Sequence, residues 1–362
     1  MRSATVEALG IATAGRVPVL LWGAPGTGKS SAVQGLAAAR GEACETVIAS
    51  IREPSDFAGL PIVVDGDVRF APPAWARSLA AVGSGVLFLD EISTAPPAVQ
   101  AALLRVVLER VVGDLALPSD VAVVAAANPP EQAADGWDLS APLANRFCHL
   151  DWDVDPTVVT DGFVGGFAAP PAVELAGGWQ GRIPAAKSLV SGFLVARAAL
   201  VCAPPTDAAA AGRAWPSPRS WEMVATLWAA CDAAEATDEA RSILVRGAVG
   251  DAAGVEMLAW SEDLDLPDPE AVLADPDSFV LPERGDRAYA ALSAVAAVVA
   301  ANPTEERWLA GWKVLGRAGE AAPDVAAAAA RVLARCRPQG TSPPPEVRVF
   351  LPILRDAGLL GE

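Results

Sequence analysis

Along its first 153 residues the chain alternates short apolar runs with stretches whose apolar positions recur at helical spacing. Five runs read as strands: 18–22, 45–49, 86–90, 121–125 and 147–151. Continuous apolar runs separated by helical stretches predict a parallel sheet covered by helices on both faces. The intervening helices are expected at about 29–40, 73–82 and 96–110. Two hairpin signals interrupt the alternation. In the segment 61–70, Asp65-Gly66 lies between alternating apolar residues, a pattern for a tight turn in which both central residues need positive φ. A second hairpin is expected over 110–117, around Gly113-Asp114.

Beyond this point the pattern changes. Residues 154–182 are rich in Gly, Pro and Asp and read as a linker. From 183 to 262 the spacing is helical, with segments near 185–202, 218–232, 236–249 and 252–261. A Pro/Asp-rich boundary at 264–283 precedes helices near 286–301, 304–318 and 323–336, and Pro343-Pro344-Pro345 then breaks the chain. The expected organisation is an α/β core over 1–153, a linker, a helical domain over 183–262 and a helical extension over 263–362. No internal repeat is evident.

Composition narrows the function classes. With 362 residues, two or three domains are expected, and a sizeable core can be buried. No run of about 18 apolar residues is free of charge or proline, and the N-terminal Met1–Glu7 lacks a signal-peptide pattern. The expectation is a soluble cytoplasmic protein. Five scattered cysteines without a CxxC pair and a single histidine, His149, argue against a zinc site and fit a reducing compartment. The formal charge of −17 argues against duplex nucleic acid as the main substrate, because such binding is driven largely by phosphate neutralisation. Only three lysines occur, and one of them, Lys29, falls where a phosphate-binding loop needs lysine.

That loop is Gly23-Ala24-Pro25-Gly26-Thr27-Gly28-Lys29-Ser30, which satisfies G-x-x-x-x-G-K-[ST] directly after a strand and at the start of a helix. Its glycines let main-chain N–H groups approach phosphates, and the helix N-terminus through Ser31 adds positive potential. Lys29 is expected to reach the β- and γ-phosphates of ATP, and the Ser30 hydroxyl to bind Mg²⁺. Asp90-Glu91 ends the third strand. Asp90 is expected in the Mg²⁺ shell, and Glu91 is expected to orient the attacking water. Strand ends gather ligands in such sheets, so both acids project to the edge that carries the loop. Asn128, at the end of the next strand, can hydrogen-bond the γ-phosphate or the water. Arg146, before the fifth strand, can reach the γ-phosphate of a neighbouring subunit. Arg219 stands in the first turn of a helix, where a cation opposes the helix dipole, which marks it as a phosphate-sensing candidate. His149 and the eleven tryptophans are read as packing or surface residues.

In this order the motifs resemble those of an AAA+ ATPase: Walker A, Walker B, sensor 1, arginine finger and sensor 2, over about 15–262. The two hairpins resemble the helix-2 and pre-sensor-1 insertions of the clade that holds MoxR proteins and magnesium-chelatase ATPase subunits. Residues 103–110 and 126–131 also look like MoxR sequence. The resemblance implies an all-α lid over 183–262 carrying sensor 2, and a ring oligomer, commonly hexameric. It further implies chaperone-like remodelling of a client protein, often with a partner carrying a von Willebrand factor A domain. A metal-insertion motor like a magnesium-chelatase subunit shares the insertions. A nucleotide-gated scaffold with slow hydrolysis is a further alternative. Residues 263–362 match no module in this resemblance.

Overall fold

The strands form where the apolar runs indicate. The computed structural model describes residues 4–129, 139–264 and 266–359. Its strands are β1 (Val19–Trp22), β2 (Cys44–Ile48), β3 (Leu60–Val64), β4 (Asp67–Ala71), β5 (Ser84–Asp90), β6 (Val111–Val112), β7 (Leu115–Ala116), β8 (Asp120–Ala127) and β9 (Cys148–Asp151). Five of them make one sheet in the order β2-β5-β8-β1-β9, with every pairing parallel. The residues of β1 are all buried, as are all of β8 after Asp120, which is why these strands read as unbroken apolar runs.

The helices of this region are α1 (Ala4–Ala14), α2 (Lys29–Ala39), α3 (Ser55–Ala58), α4 (Ala74–Val82), α5 (Pro97–Glu109), α6 (Ala141–Ala144) and α7 (Pro156–Gly165). Further along lie α8 (Ile183–Ala196), α9 (Ala208–Ala211), α10 (Pro218–Ala234), α11 (Asp238–Val249) and α12 (Asp251–Glu262). The last are α13 (Pro269–Ala274), α14 (Gly285–Ala301), α15 (Glu305–Ala321), α16 (Pro323–Arg335) and α17 (Leu351–Asp356). Among the described residues no helix is long and apolar enough to cross a membrane.

Both hairpins are present. β3 and β4 turn through Asp65 (φ 53) and Gly66 (φ 89), the two positive angles that the Asp-Gly signal requires. β6 and β7 turn through Gly113, at φ 60. The hairpins are tied to each other. Phe70 N donates to Asp114 Oδ2 at 2.9 Å, and Asp114 N donates to Phe70 O at 3.0 Å. Gly59 and Gly113 allow this approach, since a Cβ on Gly59 would lie 2.6 Å from Gly113 Cα.

Two expectations about segment boundaries differ from the structure. The segment 154–182 contains a ten-residue helix, α7, capped by Asp155, whose carboxylate accepts from Thr157 N at 2.8 Å. The boundary segment 264–283 contains α13, with Asp268 accepting from Glu270 N at 3.1 Å. The packing also groups the helices differently from the four-part scheme. One unit comprises residues up to 177 together with 202–255, and the other comprises 178–201 with 256–362. Helix α8, expected within the 183–262 domain, therefore belongs to the C-terminal unit. Gly192 explains the closeness: a Cβ there would stand 3.0 Å from Ala290 Cβ of α14 and 3.2 Å from the Trp260 ring. The C-terminal unit has its own core around Trp308, Trp312, Leu333 and Phe350, with Trp308 Nε1 donating to Leu333 O at 2.7 Å.

Candidate functional site

In a parallel sheet all strands point the same way, so their C-terminal ends share one edge. Trp22 is in register with Ala127 and Asp151, and Ile48 with Asp90. The residues that follow these positions build the site, and all lie in the N-terminal unit.

The loop after β1 is shaped by its glycines. Gly26 (φ 76) and Gly28 (φ 87) adopt left-handed angles, and a Cβ on either would meet nothing within 4 Å, so open space surrounds the loop. Gly23 has the opposite reason. A Cβ there would lie 2.5 Å from Trp152 O, because β9 runs on beside the loop. Trp152 N donates to Trp22 O at 2.6 Å, and its indole N–H to Thr27 O at 3.1 Å. Thr27 Oγ1 donates to Ala24 O at 2.8 Å, while Pro25 and Ser31 are exposed. Gly28 is the N-cap of α2, so the first N–H groups of α2 are left for an anion.

Lys29 is only 7% exposed. Its Nζ donates to Gly23 O, to Ala24 O at 2.9 Å and to Asn128 Oδ1 at 3.2 Å. Burial pushes its pKa below the usual lysine value, and the Asp90 carboxylate partly restores it. Ser30 Oγ donates to Asp90 Oδ2 at 3.0 Å, so the two expected metal-binding groups are in contact. The other oxygen, Asp90 Oδ1, accepts from Glu91 N at 3.0 Å. Glu91 is exposed and adopts φ 59, a left-handed angle uncommon for a residue with a side chain. Its Oε2 accepts from Ser50 Oγ at 2.5 Å. Asn128 is held by Ser93, whose hydroxyl accepts from Asn128 N at 3.2 Å. The donor set of one serine hydroxyl and one carboxylate beside a lysine suits Mg²⁺, a hard cation that takes few protein oxygens and shares phosphate oxygens.

The two arginines form a second group. Arg146 Nη1 donates to Pro142 O, and its Nε is buried without a hydrogen-bond partner. Burial and then the positive charge of Arg219 lower the Arg146 pKa, so the two guanidinium groups feel each other within one chain. Among the described residues neither makes an ion pair with an acid. What brings them together is Asn145, which is 4% exposed. Its Nδ2 donates to Trp215 O at 3.1 Å, and its Oδ1 accepts from Ser217 Oγ at 2.7 Å. Ser217 is the N-cap of α10, the helix carrying Arg219, and closes a reciprocal capping box with Ser220.

The structure therefore joins Lys29 to Asn128 and Ser30 to Asp90, seats Glu91 beside Asp90, and sets Arg146 near Arg219. Pro130 and Glu131, part of the MoxR-like stretch, lie outside the described residues. Four residues were not anticipated: Ser50 on Glu91, Ser93 on Asn128, Asn145 between the arginine-bearing segments, and His149, whose Nδ1 accepts from Trp22 Nε1 at 2.9 Å. The only advance signal for the last two was a polar residue inside an otherwise buried segment, where it must find partners.

Residues 18–147 match the family model described as AAA domain (dynein-related subfamily). No curated protein sequence matches the chain. Among solved structures, a candidate ATPase from Cytophaga hutchinsonii ATCC 33406 aligns at 19% identity and TM-score 0.40, covering 67% of this chain and 79% of its own. A full-length MCM homolog from Methanopyrus kandleri aligns at 20% identity and TM-score 0.38, covering 70% of this chain and 54% of its own. The parallel five-stranded sheet with flanking helices and a phosphate-loop segment after β1 is the AAA+ P-loop NTPase fold.

Proposed function

We propose that the chain is a Mg²⁺-dependent ATPase of the MoxR type, working as a ring of identical subunits that remodels a client protein. The observation that carries the reading is the convergence of Lys29, Ser30, Asp90, Glu91 and Asn128 at one sheet edge, beside the free N-terminus of α2. In this reading the loop amides and the Lys29 ammonium hold the phosphates. Ser30 and Asp90 hold Mg²⁺, which neutralises charge on the phosphate oxygens when bound. Asn128 contacts the γ-phosphate or the attacking water, and Glu91 accepts a hydrogen bond from that water and aligns it. Catalysis is then mainly positioning and charge stabilisation.

Arg146 and Arg219 are two neighbouring cations with no acid partner among the described residues. That pairing supports a role toward an anion supplied from outside their own chain, namely the γ-phosphate bound by the next subunit. The tied hairpins β3-β4 and β6-β7 are the parts suited to act on a client. Leu60, Val63 and Val68 on the first are 59%, 74% and 63% exposed. A partner with a von Willebrand factor A domain belongs to this reading as well. Mixing tests the ring. Lys29→Ala protein alone should not turn over ATP and Arg146→Ala protein alone should keep only a small residual turnover, while a mixture should regain part of the activity, because some interfaces then pair an intact loop with an intact arginine. Failure to regain any turnover would remove the claim that Arg146 acts across subunits.

A further inference from the structure

We infer that His149 is a positioning residue that ties the strand entering the phosphate loop to the turn that carries Arg146. The inference rests on the ATPase reading above and adds to it a residue outside the usual motifs.

Three facts carry it. First, Trp22 Nε1 donates to His149 Nδ1 at 2.9 Å, with the rings near parallel at 19° and 6.1 Å between centroids. Second, His149 Nε2 lies 2.9 Å from Ala144 O. An indole N–H only donates and a carbonyl only accepts, so Nδ1 must offer its lone pair and Nε2 must carry the proton. Only the neutral Nε2–H tautomer makes both bonds. Third, the two partners sit next to the chemistry. Trp22 immediately precedes Gly23 of the phosphate loop. Ala144 O also accepts from Phe147 N at 3.1 Å, closing the turn that contains Arg146.

The imidazole is thus a strut of fixed length. Its two nitrogens are a rigid distance apart, and the residue is buried, only 8% exposed, so the ring cannot swing away into solvent. If its role were only to fill space, an apolar ring would do so without the cost of burying a polar group in β9. Trp22 is itself steadied, with the Arg213 guanidinium 4.1 Å from its ring centroid. A displacement of the phosphate loop therefore passes through Trp22 and His149 to the turn of Arg146. Asn145 carries it on to the capped start of α10 and Arg219.

The test uses the full chain with ATP and Mg²⁺. His149→Phe keeps a ring and loses both bonds; His149→Gln retains a donor and an acceptor. We expect His149→Phe to lower kcat about tenfold while the Kd for ATP changes less than about threefold, and His149→Gln to recover much of the loss. In an Arg146→Ala background, His149→Phe should cost nothing further, because residues acting through one another are not additive. Unchanged kcat in His149→Phe, or an equal additional loss in the Arg146→Ala background, would overturn the inference. Should His149→Phe fail to fold, Trp22→Phe keeps an aromatic ring but loses the pyrrole ring with its N–H and is expected to reproduce the pattern; normal turnover there would equally overturn it. Because His149 is the only histidine, its ¹⁵N resonances report the tautomer directly, and a protonated Nδ1 at pH 7 would contradict the strut. A protein that binds ATP but never turns it over would remove the ATPase reading and this inference together. Intact turnover that is insensitive to His149 would remove this inference alone.

Discussion

The strut has a thermodynamic consequence that needs no ATP. Burial holds the imidazole of His149 at about 4, against an ordinary value of 6.5; the Ala144 bond and the Asp151 charge oppose the shift, and Arg213 adds to it. The folded protein thus disfavours the protonated ring, while the unfolded chain accepts a proton near 6.5. Stability from this group is fully present above 6.5, falls as the pH drops, and is lost once the pH has passed about 4. At about 1.4 kcal/mol per pH unit, the interval is worth about 3 kcal/mol in total, of which about 2 kcal/mol is lost between pH 7 and 4.5. Many carboxylates also titrate in this range, so the comparison must cancel them. Urea midpoints of the unaltered protein and of His149→Gln, measured at pH 7 and at 4.5, do so. The unaltered protein should lose about 2 kcal/mol more than the variant, followed by a probe in the N-terminal unit. Proton NMR gives an independent value, since the single imidazole needs no assignment. Equal losses in the two proteins, or an imidazole titrating near 6.5 in the folded state, would refute the reasoning.

Two further outcomes follow from contacts already described. Asn145→Ala deletes two hydrogen bonds, to Trp215 O and from Ser217 Oγ, which then keep only their Ser220 partners, so it should lower stability by about 2 kcal/mol. It should also lower turnover by releasing Arg146 from α10, and an unaltered melting temperature together with unaltered turnover would refute this. Glu91→Gln keeps the side chain's size and a hydrogen bond from Ser50. It should therefore bind ATP normally yet hydrolyse it at least about a hundredfold more slowly. Retained turnover would exclude Glu91 from aligning water, and a stable ATP-bound form would be the natural bait for a client.

Much of this was legible in the sequence because the physics was local. A strand buried on both faces must read as an apolar run, and β1, β5 and β8 do. The phosphate loop needs glycines at positive φ, and Gly26 and Gly28 supply them. The Asp65-Gly66 turn follows from the same rule. Local signals were also overlooked where composition masked them. The Asp155-Pro156 and Asp268-Pro269 pairs are N-cap and first-turn signals that start α7 and α13, inside segments whose Pro and Asp content suggested only loop. The rest was not local. Ser50 meets Glu91 across 41 residues, Asn145 meets Ser217 across 72, and Trp22 meets His149 across 127. No spacing rule connects such pairs: sheet order places the first and third together, and the packing of α10 against the end of α6 places the second. The grouping of α8 with the C-terminal helices is of the same kind, since it depends on Gly192 facing Ala290 across about a hundred residues.

The backbone at Glu91 gives the clearest reason to regard this edge as functional rather than merely polar. A residue with a Cβ at φ 59 costs about 1–2 kcal/mol relative to an ordinary angle, and glycine would take the position at little steric cost. The geometry explains why the chain bends there. Asp90 must stay in line with β5 to meet Ser30, while Ile92 N returns to Ala126 O of β8 at 3.0 Å and Ile92 becomes fully buried. A left-handed residue between them reverses the chain in one step, and Asp90 Oδ1 steadies it by accepting from the Glu91 N–H. None of this needs a carboxylate at position 91. The carboxylate is exposed, touches only Ser50 among the contacts that hold it, and adds a negative charge next to Asp90. Stability alone therefore favours glycine. A strained acid at the end of the strand whose last carboxylate meets the phosphate-loop serine fits the water-aligning role proposed for Glu91, and stability does not explain it.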